Sequence, residues 1–327
     1  MSHSQIKSAF LFIAIGLVIY VGLFGAAEWL VYKTGKSNPF FKIATADQPG
    51  YDWVILGASH AMPLSFSDVN SFMERETKTR IIDLASPGTG PLYNRFVFEQ
   101  FLQRHNTKNL LYVVDSFAFY YPEWNEDRFS DANLLRRTPF DLGLARRFLT
   151  YCRKEQVDPR ALLDYISGFS KINNRERFEV DVWEGEKQFE HTYRPSASAT
   201  RNRIAYLYPR PTSDLALSRY LSIFSSVIGM AQERNAGVLV IKLPVPSQFL
   251  SQLPAEPAFD SAIRRLLNDK HVELRDFSRA MDDPRFYFDT DHLNRVGTTE
   301  FFERFLKAMF IGRSETSSGG EPQAKLP

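Results

Sequence analysis

The run AFLFIAIGLVIYVGLFGAA, residues 9–27, contains no charged side chain. A helix of about 19 residues at 1.5 Å per residue is ~28 Å long, close to the ~30 Å hydrocarbon core of a bilayer. Lys7 precedes the run, and Glu28, Lys33 and Lys36 follow it. Residues 1–33 therefore read as an N-terminal membrane anchor, with the rest of the chain on the far side of the membrane. Basic residues on both flanks make the charge asymmetry that orients a span weak. Two other readings stay open: a signal peptide cleaved near GAA (residues 25–27), and a buried core helix. Trp29 and Tyr32 would suit the aromatic belt at a membrane interface.

The remaining chain has the makings of a large core. Of 327 residues 44% are hydrophobic and 24% charged, ordinary globular values. The net charge of +2 implies no general affinity for nucleic acid. A single cysteine, Cys152, excludes an internal disulfide framework and any cysteine-based zinc cluster. Nothing in the sequence calls for a metal or a cofactor.

Residues 34–50 read as a polar linker. Five strand candidates follow: WVILGAS (53–59), RIIDLAS (80–86), NLLYVVD (109–115), VLVIKLP (238–244) and VELRDFS (272–278). Four are continuous apolar runs rich in Val, Ile and Leu, the pattern of strands covered on both faces of a parallel sheet. The fifth alternates and suits a sheet edge. Helical patterns at 93–104, 215–233, 259–267 and 298–310 separate or follow them. This alternation predicts an α/β three-layer sandwich around a mostly parallel five-stranded sheet. Residues 120–212 exceed a minimal crossover and read as an insertion, helical around 158–169, able to serve as a lid or partner surface. Residues 313–327, rich in Gly, Ser and Pro, are expected to be disordered. The domain itself is expected over 51–312.

In open α/β sheets, ligands bind beyond the carboxyl ends of the strands. Ser59 ends the first strand candidate, Ser86 to Gly88 follow the second, and Asp115 and Ser116 end or follow the third. Gly57 lets the chain turn sharply ahead of Ser59. A helix starting near Ser59 would aim free N–H groups at negative charge beside the hydroxyl, although the same serine could be only a helix cap. A serine nucleophile needs a base, and the base needs an orienting acid. DTDH, residues 289–292, offers both: Asp289 is spaced to hold one imidazole nitrogen of His292 and leave the other facing Ser59. Asp291 is the competing acid, although neighbours in sequence usually point apart.

These blocks together resemble the SGNH (GDSL-like) hydrolase superfamily. GASH (57–60) matches its serine block, DLASPGTG (83–90) its glycine block, and DTDHLNRVG (289–297) its triad block. The resemblance implies Ser59, His292 and Asp289 as catalytic residues, with an oxyanion hole from the backbone N–H groups of Ser59 and Gly88. His60, Ser116 and Asn294 are candidate substrate contacts. The asparagine that the family supplies after its third strand is replaced here by Asp115 and Ser116. With the anchor, the chain is similar to the membrane-anchored type that accompanies membrane-bound O-acyltransferases, such as the accessory proteins of alginate acetylation and the teichoic acid D-alanylation protein. That resemblance implies acyl transfer to or from an extracytoplasmic glycopolymer through an acyl-serine. It also implies a bacterial inner-membrane location, a domain facing the periplasm or cell exterior, and a membrane-bound O-acyltransferase as partner. A secreted carbohydrate esterase and a non-catalytic scaffold are the alternatives. Bland readings hold elsewhere: core packing for the aromatics between Phe117 and Trp124, a half-buried Lys242, and a solvated loop for the basic stretch 201–213.

Overall fold

The structure is a computed structural model and describes residues 3–318. The chain divides into two compact units, one built from Met1–Ala44 with Phe129–Asp181, the other from Thr45–Arg128 with the chain from Val182 onward. Of residues 120–212, expected as an insertion, 129–181 join the N-terminal helix, while 120–128 and 182–212 join the sheet.

The second unit holds five parallel strands, β1 (Gly50–Leu56), β2 (Ile81–Asp83), β3 (Asn106–Val113), β4 (Gly237–Lys242) and β5 (Glu273–Asp276). Their order is β2-β1-β3-β4-β5, so the alternating fifth candidate does lie at an edge. Ile55 pairs with Leu111 and Leu111 with Leu239, carrying apolar side chains across the sheet in register. Alternation along each strand divides them between two faces. Trp53, Ile55, Leu111, Val113, Leu239 and Ile241 share a core with Met73, Phe301, Phe302 and Phe310, and the Trp53 and Phe310 rings stack at 4.5 Å. Tyr112, one residue out of phase with that set, meets Phe224 of the helix Asp214–Gln232 instead. Burial on both faces is why these strands are continuous apolar runs, and the three-layer α/β sandwich follows from it.

The closing helix begins as Arg295–Phe301, passes through one π-helical turn at Phe302–Leu306, and continues as Lys307–Ser318. Helical backbone therefore runs beyond Arg313. The rest of the tail expected to be disordered lies outside the described residues.

In the first unit, the helix His3–Thr34 is long and apolar enough to cross a membrane, with nearly all of its apolar side chains exposed. The expected polar linker contains a further helix, Pro39–Thr45, because Phe40 and Ile43 bury on one side of it. Residues 129–181 add the helices Leu142–Lys154 and Pro159–Ser167, capped by Asp141 and Asp158. Their cores meet through Phe148 and Tyr165.

Candidate active site

Ser59 follows β1 by three residues and is buried. Gly57 makes the approach work through space: a Cβ there would lie 3.0 Å from the carbonyl oxygen and Cβ of Val113 in β3. The expected helix at Ser59 is a turn instead. Ala61 N–H donates to the Ala58 carbonyl and Met62 N–H to that of Ser59, and a short 3₁₀ segment, Met62–Ser65, follows. Ser59 itself therefore does not begin an α-helix.

His292 arrives on a loop pinned from several sides. Tyr287 and Leu293 form an antiparallel bridge, and Phe288 N–H donates to the His292 carbonyl. Gly297 passes so close to Phe286 that a Cβ would lie 2.1 Å from its carbonyl oxygen. Asn294 caps the following helix, its Oδ1 accepting from Gly297 N–H at 2.9 Å, while its Nδ2 donates to the carbonyls of Arg285 and His191. Asn294 is therefore a structural cap with its side chain fully engaged, not a substrate contact.

The structure brings Ser59, His292 and Asp289 together. His292 Nε2 lies 2.9 Å from Ser59 Oγ, and Nδ1 lies 2.8 Å from Asp289 Oδ2. Asp289 also accepts from the backbone N–H groups of Asp291 and His292 at 3.0 and 2.8 Å, which fixes the carboxylate. Phe288 stacks on the His292 ring and Trp183 meets it edge-on, both at 5.4 Å. These contacts hold the imidazole in a plane that faces Ser59.

Asp291 has a different task. Its nearest oxygen is 3.7 Å from His292 Nδ1, and it bonds instead to His60 Nε2 at 3.0 Å and to the Arg203 guanidinium at 2.9 Å from both Nε and the terminal nitrogen. The other His60 nitrogen, Nδ1, lies 2.5 Å from Asp115 Oδ1. Burial opposes charge on His60, but the two carboxylates outweigh it and push its pKa up to about 10. His60 is thus an imidazolium donating from both nitrogens. Burial likewise opposes charge on Asp291, yet Arg203 and the two histidines hold it well below the usual carboxylate range. His60, expected among the substrate contacts, has no nitrogen left for one.

Arg203, in the basic stretch 201–213 expected as a solvated loop, has a buried partner that no local pattern signals. It lies on the helix Ala197–Leu207 and reaches Asp291 across 88 residues of sequence. Ser116 is also diverted: its Oγ is buried, lies 2.6 Å from Tyr208 Oη, and donates to Glu256. Glu256 pairs in turn with Lys242, which is buried rather than half-buried and bonds Asp260 at 2.8 Å. The aromatics from Phe117 to Trp124 are core, all of them buried.

Gly88 adopts φ +60°, a left-handed conformation, and a Cβ there would lie 2.9 Å from the Trp124 ring. Among the described residues neither Ser59 nor Gly88 gives its backbone N–H to a protein acceptor. An asparagine does sit near this rim, Asn125, but its side chain is bound to Leu92 N–H and to the carbonyls of Ala118 and Tyr121.

His60, Asp291 and His292 present donor atoms within 4.8 Å of one another, a spacing that could suit a metal ion. The hydrogen bonds do not fit one. An imidazolium has no lone pair to offer, and both His292 nitrogens face other partners.

No family model matches this chain, and no curated protein matches it with significance. Among solved structures, a protein assigned as an acylhydrolase from Bacteroides fragilis superposes with a TM-score of 0.41 at 8% identity, over 84% of this chain and 93% of that one. One assigned as a platelet activating factor from Streptococcus pneumonia gives 0.38 at 10% identity, over 91% and 98%. Likeness at this level carries no argument about activity, and the functional reading rests on the residues of this chain.

Proposed function

We propose that this protein is a serine-dependent enzyme of SGNH type that transfers an acyl group to or from an extracytoplasmic glycopolymer. The observation that carries the reading is the 2.9 Å approach of His292 Nε2 to Ser59 Oγ, with Asp289 at 2.8 Å on the opposite nitrogen.

His292 takes the Ser59 proton as Oγ attacks the acyl carbonyl. The Ser59 and Gly88 N–H groups stabilise the oxyanion, and Asp289 stabilises the imidazolium that forms. Collapse gives an acyl-serine and releases the first alcohol, which takes the proton from His292. A second hydroxyl, activated by His292, attacks the acyl-serine. A sugar hydroxyl makes the enzyme a transferase, and water makes it an esterase. The buried charges support this chemistry: Asp115, His60, Asp291 and Arg203 balance two by two, leaving Asp289 as the counter-charge for His292.

The membrane location is supported by the span-length helix His3–Thr34, which would hold the enzyme at an envelope; the glycopolymer and an O-acyltransferase partner rest on the resemblance carried by that helix together with the serine and triad blocks. The test is labelling of the full chain with a fluorophosphonate and, on a separate unlabelled sample, incubation with acylated polymer. Ser59→Ala should abolish both labelling and ester turnover. Unchanged turnover in Ser59→Ala would refute the reading and favour a scaffold. A new ester on an added glycan acceptor distinguishes transfer from hydrolysis.

A further inference from the structure

In the first unit, residues 159–172 lie against the N-terminal helix. Tyr20 Oη donates to the Ser167 carbonyl at 3.1 Å. The Phe24 ring fills the space beside Gly168, where a Cβ would lie 2.5 Å from the ring and where φ is +69°. Phe24 also meets Phe140 edge-on at 5.8 Å. Lys171, 2% exposed, pairs with Glu28, the first charge after the apolar run.

These contacts fix a depth. Tyr20 and Phe24 precede Glu28 by about 12 and 6 Å along the helix axis, and both belong to the uncharged run. If that run fills a bilayer core, the backbone around Ser167 and Gly168 sits within the leaflet on the Glu28 side. The outward surface fits such a place. Leu163, Ile166 and Phe169 are 66%, 48% and 61% exposed, while Leu162 and Tyr165 point inward. On the helix Leu142–Lys154, exposed Leu142 and Leu149 share a stripe with exposed Arg146 and Arg153. Arginines on that stripe suit phosphate headgroups at the membrane surface, their aliphatic stems lying along apolar surface. The charge that would otherwise enter the leaflet, Glu28, is already neutralised by Lys171.

We propose that residues 142–172 form a foot seated in that leaflet, its Leu163, Ile166 and Phe169 face in contact with lipid chains. The occupant is lipid because the face lies beside the exposed apolar surface of the span-length helix it packs on. The inference rests on the reading that His3–Thr34 spans a bilayer, and the test separates the two.

The unsubstituted full chain is placed in vesicles of phosphatidylcholine and phosphatidylglycerol carrying a diazirine on the acyl chain, irradiated, and mapped by peptide mass spectrometry. Lipid adducts are expected in residues 9–27 and in 159–172. Adducts confined to 9–27 would overturn the foot while leaving the span intact. Adducts absent from 9–27 would overturn the span, and the foot with it. In a Cys152→Ser background, a fluorophore on Leu163→Cys should be quenched at least about twofold by doxyl lipids. A photo-crosslinker at Leu163 in native membranes that captures one integral protein in place of lipid would assign the face to that protein and overturn the lipid assignment.

Discussion

The ring of His60 lies 4.8 Å from that of His292, and the two imidazoles have different tasks because their partners differ. His60 donates to a carboxylate from each nitrogen. His292 has a carboxylate on one nitrogen and the Ser59 hydroxyl on the other. One is a fixed cation, and the other is placed to take up a proton and give it back.

His60 should make stability depend on pH in a specific window. Its pKa rises from 6.5 in the unfolded chain to about 10 in the fold, so the fold keeps a proton that the unfolded chain releases between those values. The stabilisation is complete below about pH 6.5 and is lost as pH rises through about 10, with a slope of ~1.4 kcal/mol per pH unit for one proton. Chemical unfolding of the full chain in micelles across that window should show this slope, and His60→Gln should flatten it.

Removing a partner from the buried charge set should destabilise. Arg203→Met leaves Asp291 with His60 as its sole cationic hydrogen-bond partner and should lower stability by about 3 kcal/mol, toward the lower end for breaking a buried pair. Arg203→Lys should recover little of it, since Lys cannot present two parallel donors. Denaturation midpoints of the two variants check this.

The two aspartates should separate stability from catalysis. Asp289→Asn should lower kcat on the order of 10³–10⁴-fold with little change in unfolding midpoint, by loss of the oriented imidazole. Asp291→Asn should do the reverse, destabilising through His60 and Arg203 with a smaller effect on turnover. Equal kinetic effects would mean that Asp291 shares the orienting role.

Gly88→Ala should impair the oxyanion donor. The left-handed φ and the Trp124 ring both oppose a methyl group, so the turn must shift. A rate loss of ~10²–10³-fold is expected, the typical effect of losing one donor, with a KM changed far less. A fall in KM-dependent binding alone would place Gly88 outside the hole.

Much of the architecture was legible before folding. Runs such as VIL and LLYVV, short and rich in β-branched and apolar residues, have the pattern of strands buried on both faces, and the interval lengths between them allow parallel crossovers. The Asp289–His292 spacing is local, so the loop chemistry was readable from four residues. What the sequence could not carry was partnership over distance. His60 and Asp115 are 55 residues apart, His60 and Asp291 231, and no local pattern says that three such groups will share one buried site. The same limit made Arg203 look like a solvated charge, and made Ser116 and Asn294 look available.

The sequence by itself therefore determined the strands, the span-length helix and the identity of a serine, a histidine and an acid capable of the chemistry, because each depends on neighbours within a few residues. Only the tertiary structure decided which aspartate faces which histidine, which histidine is locked as a cation, and that half of the insertion belongs with the N-terminal helix. Those outcomes follow from desolvation: a charge taken out of water must find an opposite charge in space, wherever along the chain that charge lies.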